Sequence, residues 1–276
     1  MRRGRRAGRF VPVAAGLLAL LWPACATRAP RSLEPASPAG PGYRALFRGE
    51  AEGPDGKTRF RLAAALLPPD RLRLEFLGPA GGARVVFAAD TAGAVLILPA
   101  ERVFDRATAG PEGLDRLLGL PLRTHHLVAL LTARPFCAEE TALQQVMTRP
   151  AATFGRTHAW FEVDCPPNDV RYLALASERG GPLREATVRD PLSGAIILRV
   201  EYGAYAEGGG PRWPRLLRLR LREETTVRLE ALEGPAPGEI PESSFTPVIP
   251  DGFDRKPLRL SLSAPGLAGS VADRER

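Results

Sequence analysis

The chain has 276 residues, a net charge of +7 and a pI near 10.0. Five arginines crowd residues 1–9 and the others are interleaved with Glu and Asp, so the basic balance is not the one-signed field that a phosphate backbone requires, and it argues against nucleic acid. The length suits one large β-rich domain or two small ones.

The N-terminus has the layout of a secretory signal. Arg2, Arg3, Arg5, Arg6 and Arg9 precede an apolar run from Phe10 to Trp22, interrupted only by Pro12 and ending in Leu21-Trp22-Pro23-Ala24-Cys25. The run is shorter than the ~20 residues a permanent membrane helix needs. The Ala24-Cys25 junction resembles the lipobox of bacterial lipoproteins, which implies cleavage after Ala24 and acylation of Cys25. The alternative is an ordinary signal cut a few residues later, with Cys25 discarded. Removal of residues 1–24 takes away five arginines and no acids, leaving +2. Residues 25–42 carry Pro30, Pro35, Pro38 and Pro41 among small residues and read as a flexible linker from the anchor to a folded body over 43–255, with a tail over 256–276.

In an oxidising envelope compartment the two remaining cysteines, Cys137 and Cys165, are expected to pair. The bridge would close a loop of about 29 residues, on the order of 3–4 kcal/mol in the loop-entropy model. Two unpaired buried thiols are the alternative.

Short strand patterns fill the body. Ala45–Glu52 and Thr58–Leu67 flank the turn Gly53-Pro54-Asp55-Gly56. Arg71–Phe76 alternates strictly, with Leu72, Leu74 and Phe76 on one face and Arg71, Arg73 and Glu75 on the other, which predicts a half-buried antiparallel strand. Arg84–Ala89 follows a glycine-rich turn, and Val95–Leu98 is apolar on both faces, so it should be covered on both. Pro111-Glu112 opens a short helix carrying Leu114, Leu117 and Leu118 and broken at Gly119. Thr124 is expected to cap a second helix over His125–Thr132, with Leu127 and Leu131 on its apolar stripe. Strands are then expected near 158–163, 171–176, 184–189, 195–202, 216–223 and 226–232, with Ile196, Leu198, Val200 and Tyr202 sharing one face. The expected fold is mainly β with a helical lid (α+β): a single curved antiparallel half-barrel of about eleven strands enclosing two central helices.

No catalytic constellation, metal site or cofactor is expected. G-x-S-x-G, H-E-x-x-H, P-loop and C-x-x-C motifs are missing from the sequence. His125, His126 and His158 show no ligand spacing with the cysteines, and the adjacent pair His125-His126 reads as exposed or lid-packing.

The order of elements resembles a known family. Leu74-Glu75-Phe76-Leu77-Gly78-Pro79-Ala80-Gly81, Gly119-Leu120-Pro121-Leu122 running into Leu130-Leu131-Thr132-Ala133-Arg134-Pro135, and Val200-Glu201-Tyr202-Gly203-Ala204-Tyr205 resemble segments of the outer-membrane lipoprotein receptor family LolB of the bacterial lipoprotein localisation pathway. Ile240-Pro241-Glu242-Ser243-Ser244-Phe245 and Pro250-Asp251-Gly252-Phe253 are similar to the ending of the related LolA carriers. The resemblance implies a monomeric half-barrel on the periplasmic face of the outer membrane. Its apolar cavity, lined by Leu72, Leu74, Phe76, Leu127, Leu131, Ile196, Leu198 and Val200, would hold acyl chains of lipoproteins or lipids. A leucine in the turn after the third strand enters the membrane in that receptor family; the matching position here is Ala80, with Leu77 at the strand end. An envelope sensor or scaffold that binds a protein partner through the same fold is the alternative function.

Overall fold

The structure is a computed structural model that describes residues 42–54, 56–78, 80–134, 159–165, 170–176, 182–205, 213–221, 225–260 and 269–271. Cys25, Cys137 and linker residues 25–41 lie outside them, whereas Gly42, expected to end the linker, opens the first strand. The elements in chain order are β1 (Gly42–Gly53), β2 (Gly56–Leu67), β3 (Arg71–Leu77), β4 (Ala83–Ala89), β5 (Ala94–Leu98), β6 (Val103–Ala107), α1 (Pro111–Leu118) and α2 (Thr124–Leu131). Then come β7 (Ala159–Cys165), β8 (Val170–Ala176), β9 (Leu183–Arg189), β10 (Ile196–Tyr205), β11 (Pro214–Leu221), β12 (Thr226–Gly238), β13 (Asp254–Arg255), β14 (Leu258–Leu260) and β15 (Gly269–Val271).

Thirteen strands make one open sheet in the order β13-β6-β5-β4-β3-β2-β1-β12-β11-β10-β9-β8-β7. Two sequential meanders, β1–β6 and β7–β12, meet along β1 and β12, which pair antiparallel from Glu52↔Thr226 to Gly42↔Gly238. Only β13 runs parallel to its neighbour, β6. The expected mainly antiparallel half-barrel with two central helices is the fold observed. It also includes β6 and β13, which pattern reading did not separate.

Alternation decides which side of each strand is buried. On β2, Phe60, Leu62, Ala64 and Leu66 point inward while Arg59 and Arg61 are exposed, the period-2 signature of a sheet with one solvated face. The inward residues of β1–β6 and of β9–β12 join α1, α2 and β14 in one hydrophobic core. Every residue of that core lies between Tyr43 and Leu260. The compact unit Ala39–Arg276 therefore carries this entire core of the described residues, as a domain able to fold alone does.

Both helices are eight residues long, too short to be stable in isolation, so packing on the sheet holds them. α1 ends at Gly119, whose φ of 70° is the left-handed cap geometry glycine favours and whose N–H donates to Asp115 O at 2.8 Å. α2 begins differently from the sequence expectation. Thr124 is its first helical residue and Arg123 is the N-cap; the Thr124 hydroxyl makes no hydrogen bond among the described residues. The capping work falls to buried His126, whose Nδ1 accepts the Arg123 N–H at 3.2 Å.

The outer face is divided in two. After β12 the chain crosses the outer side of β2–β6 as a strap. Ile240 and Phe245 pack on Leu67. Ile249 and Phe253 pack on a second cluster of Val86, Ala88, Val95 and Ile97. Arg73 Nη1 donates to Ser244 O at 2.9 Å, and Thr246 Oγ1 donates to Asp90 Oδ2 at 3.0 Å. The strap then rounds the β6 edge through β13, and β14 delivers Leu258 and Leu260 into the main core, so the core extends past residue 255. Among the described residues, the outer face of β10, β11, β12, β1 and the first half of β2 (Gly56–Arg61) carries no such cover and is dominated by Arg and Glu.

Candidate functional site

Among the described residues the inner face is uniformly apolar. Leu72 and Phe76 from β3, Leu127 and Leu131 from α2, and Leu198 and Val200 from β10 all fall in the main core cluster, as the sequence pattern expects. Leu74 is half-buried against it. Ile196 is not brought there: its side chain is 44% exposed. The ladder explains why. Ile196 pairs with Arg189 and Leu198 with the adjacent Val188, so Ile197 is the extra residue of a bulge. A bulge breaks strict alternation, and Ile197 (2% exposed) takes the inward place beside Leu198.

Side chains on this face are nearly all hydrocarbon. Fully buried Leu114 and Leu117 anchor α1, and Leu127, Val128, Ala129, Leu130 and Leu131 of α2 are all buried. A helix with so little polar surface must be covered on more than one side. One polar contact ties α2 to the far meander: the Tyr202 hydroxyl on β10 donates to Leu130 O at 3.0 Å. Tyr205, further along β10, donates its hydroxyl to Leu183 O, and burial pushes its pKa up. Leu118, Leu120, Leu219 and Leu221 are half-buried at the margin of the cluster and leave an apolar rim.

The single buried acid among the described residues is Asp105 on β6. Its carboxylate accepts the N–H of Arg106 at 2.8 Å and of Leu258 at 3.1 Å. It also pairs with Arg116 of α1 and, at 3.8 Å, with Arg255 of β13. Asp105 therefore joins edge strand, helix and strap, and leaves the apolar face free of unpaired charge. Sequence reading missed it because its partners are not neighbours in the chain. No group of three or more His, Cys, Asp or Glu side chains is placed to hold a metal among the described residues.

The connections β3–β4 and β9–β10 open at the same end of the sheet, because every strand between them runs antiparallel to its neighbours. Leu77 is half-buried there and Ala80 is exposed. The apolar side chain that stands out at this end is Leu192, 97% exposed in the β9–β10 turn. Asp190 fixes that turn: its Oδ1 accepts the N–H groups of Leu192 at 3.1 Å and Ser193 at 2.8 Å. The Asp-Pro-Leu-Ser-Gly string marks a turn in sequence but does not announce that its leucine is left bare. Cys165 is the last residue of β7; its proposed bridge to Cys137 involves a residue outside the described ones. Among the described residues no helix is long and apolar enough to cross a membrane.

Solved structures share this arrangement of one open sheet over two helices. A LolA superfamily protein from Nitrosomonas europaea superposes with a TM-score of 0.53 over 76% of this chain and 92% of that one, at 10% identity. The chain has the LolA-type fold. A DUF1329 family protein from Desulfovibrio piger gives a TM-score of 0.54 over 75% of this chain and 90% of its own, also at 10% identity. No protein-family model matches the sequence, and no curated protein does. At 10% identity the LolA-type likeness rests on how strands and helices are ordered, not on shared side chains.

Proposed function

We propose that this protein is an envelope lipoprotein that receives acyl chains of other lipoproteins, or of lipids, between the inner face of its sheet and its two helices. The observation that carries this reading is the inner face itself. It is apolar over β1–β6 and β9–β12, and two eight-residue helices lie on it largely through hydrocarbon contact. A hydrocarbon chain can replace those contacts, provided the buried bond from the Tyr202 hydroxyl to Leu130 O is kept or re-partnered. Each methylene moved from water contributes about 0.8 kcal/mol, and no catalytic side chain is needed. The role in this reading is lipoprotein localisation at the periplasmic face of the outer membrane, with Cys25 as the lipid anchor. The sheet end bearing Leu77, Ala80 and Leu192 faces the bilayer, and Leu192 is the side chain that enters it.

The test is mass-spectrometric lipid analysis of purified residues 39–276, followed by incubation with an acylated and a deacylated lipoprotein. Copurified lipid, or uptake of the acylated form alone, is the expected result. A lipid-free protein that ignores both forms refutes the proposal, and saturable binding that disregards acylation assigns the fold to a protein-binding scaffold instead. Labelled palmitate incorporated into the full chain and lost in Cys25→Ala checks the anchor.

A further inference from the structure

The bare half of the outer face pairs arginine with arginine. In register across the sheet, Arg48 on β1 lies opposite Arg61 on β2, Arg218 on β11 opposite Arg228 on β12, and Arg199 on β10 opposite Arg220 on β11. Like charges directly opposite one another destabilise a sheet, and arginine stays ionised at any physiological pH. Acids nearby do not relieve all of this. Glu230, in register with Arg48, pairs instead with Arg228 at 3.7 Å, and Glu201, in register with Arg218, pairs with Arg220 at 3.7 Å. Among the described residues Arg48, Arg61 and Arg218 take part in no ion pair, and all three are exposed. Beside Arg48 a depression of about 530 Å³ is lined by Arg48, Arg59 and Arg228 together with Glu50 and Glu230, which pair with Arg59 and Arg228 and leave Arg48 as its uncompensated cation among the described residues.

We infer that this face docks on an anionic phospholipid surface, with headgroup phosphates lying over the arginine pairs. Charge complementarity selects an anionic partner. Among the described residues the depression is lined by no aromatic or large aliphatic side chain, which disfavours a protein partner, whose interface would centre on such anchors. The same face continues at one end into the β9–β10 turn, where Leu192 is exposed within a few residues of Arg199. A cationic plane beside a bare leucine matches the charged and apolar layers of a bilayer interface. This inference does not depend on acyl binding by the inner face.

The test is cosedimentation of residues 39–276 with vesicles of phosphatidylcholine alone and of phosphatidylcholine with phosphatidylglycerol at 3:1. Binding is expected only to the anionic vesicles and should weaken as salt is raised. The R48Q/R61Q/R218Q variant should bind on the order of a hundredfold more weakly, at about fivefold per cation. The matching triple Arg→Lys variant should retain most of the affinity. Since the Gln variant removes like-charge neighbours, its Tm should hold or rise, so lost binding reports the face and not unfolding. Equal binding to both vesicle types, or equal binding by the Gln variant, overturns the inference. Preference for polyglutamate over the anionic vesicles also overturns it and assigns the face to an acidic polypeptide. Acyl uptake by the inner face is measured separately and should be unchanged in the Gln variant.

Discussion

Asp105→Asn isolates what the buried carboxylate contributes while keeping its shape. The native group accepts two backbone N–H bonds, from Arg106 and from the strap residue Leu258, and both Asp105 and Leu258 are almost inaccessible to water. Asparagine keeps one acceptor oxygen and presents its NH2 to the other donor, which leaves a buried N–H unpaired at a cost of about 1–3 kcal/mol. Loss of the negative charge also ends the pairing with Arg116 and Arg255. Those side chains are 39% and 65% exposed, so water compensates them and the added loss is about 1 kcal/mol. The expected destabilisation of residues 39–276 is therefore about 3 kcal/mol, or a Tm lower by about 6–12 °C for a domain of this size. Urea unfolding measures it, and hydrogen exchange reports where it acts, with protection lost first at Leu258. A loss below about 1 kcal/mol with Leu258 still protected would show that apolar packing alone holds the strap.

Two further outcomes follow from particular side chains. Ile196→Ala should change stability by less than about 0.5 kcal/mol, as surface substitutions do, whereas Ile197→Ala should cost about 2–5 kcal/mol by opening a cavity; equal effects in chemical unfolding would refute the bulge. Glu50 is held below the usual glutamate range, first by the hydrogen bond from Lys57, against some desolvation, and then by Arg59. Because its folded pKa is depressed, its contribution is present above the unfolded glutamate pKa and fades as pH falls through the folded one. A carbonyl-detected NMR titration should place its midpoint below that of a free glutamate and move it up in Lys57→Met; a parent midpoint at or above the ordinary value contradicts the pairing.

Much of this architecture is legible in the sequence where one physical rule acts alone. Strict alternation at Leu72, Leu74 and Phe76 places β3, and the apolar run Val95–Leu98 correctly demands cover on both faces. Leu96 and Leu98 receive it from the main core, Val95 and Ile97 from the strap. Legibility fails where a distant contact overrides the local pattern. β6 has an acid at a core position, which reads as a break in alternation until Arg116, 11 residues on, and Leu258, 153 residues on, supply its partners. The bulge at Ile197 shifts the face of one residue without any change in composition. Thr124 loses the cap to its neighbours because the helix starts one residue earlier than the hydroxyl suggests. For the inner face, hydrophobicity identifies the members; for the outer face, only the register shows that arginines oppose arginines.

The seam between β1 and β12 has a consequence for how the chain reaches this state. Each meander is made of strands adjacent in sequence, so its hairpins close over short loops and can form early. The seam instead joins Gly42–Gly53 to Thr226–Gly238, across most of the chain. If the hairpins form first, each half-sheet keeps its apolar face open and its seam edge unpaired until β12 docks on β1, the condition under which strands pair with the wrong neighbour. Folding should accordingly show a slow, concentration-sensitive phase that ends when the twelfth strand docks beside the first. A chaperone that shields β1 would act at the step where yield is decided.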